Sequence, residues 1–232
     1  MAKAGDVFEN PVTGERAVVR LGNEDTGEDR LVADLYVKPG GAVVGEHVHP
    51  VTEESFAVVR GQVGFRLDGQ ESIAELNQRL HVPAGVAHDW WNAGDEEAHV
   101  VVELAQRAAR FEETIRNLFG LAQDGKTNSK GMPNLLQGAL FAREFSDVIY
   151  FTKPPFVVQR LLFGVLAFIG RALGYKGSYS KYSAPEPPSG VVAGPPATTR
   201  MVGGVFAIAA ALLLGASLFL LRGTRRLPNF RR

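Results

Sequence analysis

Gly41-Ala-Val-Val-Gly-Glu-His-Val-His-Pro-Val-Thr-Glu-Glu-Ser-Phe-Ala-Val-Val-Arg-Gly61 sets two histidines two residues apart, then a turn at Pro50, then an apolar run opened by two carboxylates. On a strand, side chains two apart leave from one face, so His47 and His49 send two imidazoles toward one interior point. Glu54 follows His49 across the turn and can add an oxygen from the neighbouring strand. Farther on, Pro83-Ala-Gly-Val-Ala-His-Asp-Trp-Trp-Asn92 brings a third imidazole, His88, behind a tight Pro-Gly turn. Three nitrogens and one oxygen suit one divalent first-row ion, and this donor set accepts iron, manganese, nickel, copper, cobalt or zinc.

Around this pair of segments, short apolar or alternating runs recur: Ala17 to Leu21, Leu31 to Val37, Ser55 to Val59, Val63 to Leu67 and His99 to Leu104. Turn signals separate them, among them Pro39-Gly40-Gly41, Asp68-Gly69 and Ala93-Gly94-Asp95. Many short strands at this spacing predict an all-β antiparallel sandwich or barrel over residues 1–105. Alternation extends the site. Trp90 and Asn92 share a face with His88, and Phe56 and Val58 share one with Glu54, which makes Phe56 and Trp90 candidates for a substrate pocket.

The two segments resemble the paired signature motifs of the cupin superfamily, here spaced G-x5-H-x-H-x4-E-x6-G and P-x-G-x2-H-x3-N. The resemblance implies a double-stranded β-helix, the cupin barrel, with His47, His49, Glu54 and His88 on one metal ion. Glu53 is a rival for Glu54, and the six-residue spacing to Gly61 favours Glu54. One departure is Asn77, which stands where the family has the glycine that opens the second motif; asparagine is the next most tolerant residue of a left-handed backbone. His81 and His99 fall outside the motifs and are expected to be structural. The text of residues 5 to about 182, including Glu9 to Arg16 and Gly120 to Pro133, is similar to small bacterial cupin-domain proteins with a helical tail, whose names fix fold and metal site better than reaction.

After Leu104 the apolar period moves toward 3.6, with Phe111, Ile115, Leu118, Phe119 and Leu121 on one side of an amphipathic helix. A polar stretch from Gln123 to Pro133 leads to a second helix expected over about 134–151, and a third follows Pro154-Pro155 to about Tyr175. Residues 106–182 thus read as a helical extension and 183–200 as a proline-rich linker. Met201 to Leu221 is twenty-one residues without a charge, the length of a transmembrane helix, and 222–232 is a basic tail holding five arginines.

The arginines after Leu221 put the tail in the cytosol by the positive-inside rule, yet the first residues lack the apolar region of a secretory signal. The expectation is a single-pass membrane protein with a cytoplasmic cupin domain; a two-pass hairpin using 156–175 is the alternative.

Lysine plus arginine and aspartate plus glutamate each number 25, so no overall charge draws the chain to nucleic acid. The absence of cysteine rules out thiolate ligands and disulfides. Expected partners are a small-molecule ligand, the membrane through 201–221 and a second copy in a homodimer. Two functional readings follow from different classes. A metal with open positions permits a metal-dependent dioxygenase or related small-molecule enzyme, with Glu54 able to loosen from the ion and act as a base. The alternative is a non-catalytic module that binds or senses a small molecule.

Overall fold

A computed structural model describes residues 1–41 and 45–183. In chain order the strands of the barrel are β1 (Val7–Glu9), β2 (Arg16–Leu21), β3 (Arg30–Val37), β4 (His47–Val48), β5 (Glu53–Arg60), β6 (Val63–Leu67), β7 (Gln70–Ala74), β8 (Arg79–Val82), β9 (His88–Asn92) and β10 (Ala98–Ala105), with the short helix α1 (Asn23–Thr26) between β2 and β3. There follow α2 (Ala108–Gln123), α3 (Leu135–Glu144), β11 (Tyr150–Phe151), α4 (Phe156–Ala172) and α5 (Ser180–Ser183).

Two antiparallel sheets face each other, one in the order β1-β2-β3-β10-β5-β8 and the other β11-β4-β9-β6-β7. The alternation read from sequence decides which side chains enter the space between them. Glu54, Phe56 and Val58 of β5, the even-numbered residues of β10, and His88, Trp90 and Asn92 of β9 are buried, while their neighbours are only partly so. Phe56 meets Phe65 at 5.2 Å and Trp90 at 5.7 Å between ring centroids, which places an aromatic cluster directly beside the histidines in the core.

Local signals fix the turns. Asp68 and Gly69 both take positive φ, 48° and 79°, as a two-residue hairpin between β6 and β7 requires. Asn77 takes φ 67°, so the turn that lost its glycine keeps its backbone conformation. Strands β7 and β8 had no clear periodic signal, because the side chains of β7 are mostly exposed and those of β8 mostly half-exposed or exposed.

The helices are packed on the barrel within one compact unit, Met1–Ser189. The apolar face of α2 lies against β1 and β3, and Glu112 on that helix receives the Ala2 amide at 2.6 Å and Arg116 Nε at 2.7 Å. Asn134 starts α3 by accepting the Leu136 and Gln137 amides. The helix expected over 134–151 is shorter than that. It stops at Glu144, and Tyr150–Phe151 becomes a strand paired with β4. The physical reason is the exposed edge of β4: its backbone groups need partners on both sides, and Tyr150 and Phe151 supply them.

Among the described residues no helix is long and apolar enough to cross a membrane. The segment 156–175, the second crossing in the two-pass alternative, forms the seventeen-residue α4, whose inner face is buried against the protein. The expected transmembrane segment 201–221, like the linker from 184 onward and the basic tail, lies outside the described residues.

Candidate metal centre

His47 on β4, His88 directly opposite it on β9, His49 just past β4 and Glu54 on β5 come together from both sheets. All four are buried, and each offers a ligand atom within 4.8 Å of the others. The Pro-Gly turn carries His88 to this place: Gly85, at φ 81°, donates its amide to the His49 carbonyl at 2.8 Å, tying the two sequence motifs together.

Each imidazole is aimed by its other nitrogen. His47 Nδ1 donates to the Gly45 carbonyl at 2.7 Å, His49 Nδ1 to the Val148 carbonyl at 2.7 Å, and His88 Nδ1 to the Val86 carbonyl at 3.0 Å. A carbonyl only accepts, so Nδ1 carries a proton in all three and Nε2 faces the centre. His49 Nε2 is fully buried and has no hydrogen-bond partner among the described residues. Such an atom is costly unless something takes its lone pair. The residues therefore fit a divalent ion: three imidazole Nε2 atoms and the Glu54 carboxylate would hold it.

The electrostatics agree. Burial, reinforced by the neighbouring imidazoles of His49 and His88, pushes His47 down to about 3, so it is a neutral donor at any ordinary pH. Burial alone would raise the Glu54 carboxyl, but His49 and His88 hold it down at about 2. Burial would likewise lower His88, and the Glu54 carboxylate, 2.9 Å from its Nε2, overcomes that and raises it above the usual histidine value.

Glu53, the rival carboxylate, points outward to within 4.0 Å of His81, which is also 3.1 Å from Ser55 Oγ. His99 pairs with Asp34 and stacks on Tyr36. None of these three side chains reaches the cluster.

A cavity of about 510 Å³ opens on the cluster. His47, His49 and Glu54 line it, as do Phe56 and Trp90, the two pocket candidates from the sequence. The cavity continues past the barrel to Phe111 of α2, Phe141 of α3 and Phe163 of α4. Phe111 stands 5.3 Å from the His49 ring. Sequence reasoning missed this half of the site. The periodic face of α2 was legible, but nothing in it marks Phe111 as a neighbour of His49, and the Val148 carbonyl that orients His49 carries no side-chain identity at all.

A family model for the cupin domain matches residues 34–103. The barrel is a cupin domain. Over most of its length the chain is similar to "Probable oxidoreductase virH" of Hypocrea virens (strain Gv29-8 / FGSC 10586), 26% identical over 199 residues, covering 78% of this chain and 88% of that protein. It is also similar to "Polyketide synthase CurC" of Streptomyces cyaneus, 37% identical over 76 residues, or 33% of this chain and 49% of that protein. The match spans about half the length of CurC, and only a third of the cupin chain takes part. Among solved structures, the Cnp3 cupin domain of Schizosaccharomyces pombe superposes with a TM-score of 0.37 at 11% identity, over 45% of this chain and 71% of that one.

Proposed function

We propose that the cupin domain holds one divalent first-row ion on His47, His49, Glu54 and His88 and acts as a small-molecule enzyme on a largely apolar substrate that presents an oxygen to the ion. The observation that carries this reading is the buried, unpartnered His49 Nε2, fixed by the Val148 carbonyl and exposed to an apolar cavity. When bound there, the ion supplies Lewis-acid polarisation or oxygen-dependent redox chemistry. The likeness to a protein named a probable oxidoreductase, covering most of both chains, favours the redox class.

The chain's own residues set the rest. Phe56, Trp90 and Phe111 exclude water and stack or pack an apolar body beside the ligands. Glu54 is the carboxylate placed to take a proton from a substrate. As a ligand of the ion it is a weak base, and loosening from the ion would strengthen it. We extend the reading to location: the uncharged run 201–221 anchors the protein in a membrane, with the cupin domain on the cytosolic side.

Elemental analysis of purified protein, followed by oxygen uptake of the iron(II)-loaded form with catechol and acetylacetone as probes, tests the proposal. Uptake above that of His47→Ala supports an enzyme of the dioxygenase kind. Saturable quenching of Trp90 without uptake supports instead the non-catalytic binding module, and no bound metal in the wild type refutes both.

A further inference from the structure

Helix α4 is apolar on two opposite faces. One face is buried, through Gln159, Leu166, Ala167 and Gly170. On the other, Val157, Leu161, Val165 and Phe168 are 69%, 71%, 63% and 76% exposed. At about 100° per residue these four and their exposed neighbours Val158 and Ile169 fill one continuous arc of roughly 120°, directly opposite the buried face. Arg160 and Arg171 are exposed along one edge of the arc. Surface helices of soluble domains turn charge outward, and a contiguous patch of this kind marks a contact.

The chain itself says which contact. Residues 149–185 contain five basic residues, Lys153, Arg160, Arg171, Lys176 and Lys181, the last paired with Asp124, and no aspartate or glutamate. That local charge opposes a second copy of the same face and complements an anionic lipid surface, where arginines at the edge of an apolar stripe reach the headgroups. The run 201–221 follows after a linker of seventeen residues, 184–200, whose full extension is about 60 Å. With no polar residue but one serine, that run has no side to show to water, so laying it along α4 would leave most of its own surface uncovered. Only a bilayer covers both.

We propose that the outer face of α4, opposite the side on which Phe156, Gln159 and Phe163 line the cavity, seats in the headgroup region of an anionic bilayer. This rests on the reading of 201–221 as a membrane anchor. The partner is the lipid surface.

The test uses full-length Phe168→Trp reconstituted in vesicles of phosphatidylcholine with phosphatidylglycerol, with acyl chains brominated near the headgroup. An interfacial helix sinks about 5–10 Å into the boundary, so the emission added by the new tryptophan should fall by about half or more, while wild type, with Trp90 buried and Trp91 half-buried in the barrel, sets the background. Quenching that weakens in phosphatidylcholine alone or in Arg160→Gln with Arg171→Gln confirms the charge contribution. Protein that floats with the vesicles but shows no quenching overturns the docking while leaving the anchor intact. The same unquenched result with emission already blue-shifted in detergent assigns the face to 201–221, and with a cross-linked dimer assigns it to a second copy; both overturn the proposal. Failure to float at all removes the anchor and the docking together.

Discussion

Removing the ion from this site should leave a proton behind, and binding it should drive that proton out. In the metal-free protein both nitrogens of His88 face acceptors, Nδ1 the Val86 carbonyl and Nε2 the Glu54 carboxylate at 2.9 Å. Both must then carry hydrogen, and the raised pKa of His88 agrees: an imidazolium sits against an ionised carboxylate below that pKa. A metal needs the bare Nε2 lone pair of His88, so that proton has to leave. His47, held at about 3, contributes none. Below the His88 pKa the zinc affinity should therefore rise about tenfold per pH unit, or about 1.4 kcal/mol, and level off above it. Calorimetric titration with zinc in buffers of different ionisation enthalpy reads the proton count, with close to one released per metal below the His88 pKa. The sign for folding runs the other way. The pair stabilises the metal-free protein below the unfolded histidine value and is lost as pH rises through the raised one, so chelated protein should melt lower at pH 9 than at pH 6. An affinity flat across this range, with no proton released, would show that no imidazolium faces Glu54 and would refute the reasoning.

Three further outcomes are expected. His47→Ala should abolish stoichiometric metal in elemental analysis while far-ultraviolet circular dichroism stays β-rich, because the core of Phe56, Phe65 and the valines does not need the ion; full metal retention would remove His47 from the ligand set. Trp90→Ala would cost about 3–5 kcal/mol of packing, so Trp90→Phe is the cleaner variant, and it should change the affinity for 1-anilinonaphthalene-8-sulfonate several-fold if Trp90 lines the ligand's site. At Asn77, φ 67°, replacement by alanine should cost about 1 kcal/mol and replacement by glycine close to nothing, a difference of about 2–4 °C in melting temperature; equal effects would mean the left-handed turn is not demanded there.

The barrel was legible because its inner faces are periodic. His47 and His49 share a face by spacing alone, and the alternation of β9 and β5 sends His88 and Trp90, Glu54 and Phe56 into the same interior. The Glu53 and Glu54 choice followed from spacing, and geometry separates them by the same alternation, one out and one in. What the sequence did not show is of another kind. Tyr150 and Phe151 sit in a stretch whose apolar pattern reads as a continuing helix, and only the unpaired edge of β4, a feature of the assembled sheet, turns them into a strand. Helix α4 was read as apolar, but which of its apolar residues face the protein depends on where α3 lies.

The helical extension changes what the cupin domain can be. Taken alone, the four ligands would stand at an open barrel end, with β4 only two residues long and its outer edge bare. The extension pairs that edge with β11, turns His49 by the Val148 carbonyl, and sets Phe111 against its ring. The same segments roof the cavity, so its shape is set by α2, α3 and α4 while the four candidate ligands belong to the barrel. The likeness to CurC takes in a third of this chain, and the likeness to virH, reaching over 78% of it, takes in the roof as well. Substrate choice should therefore be sought in the helices, and the metal chemistry in the strands.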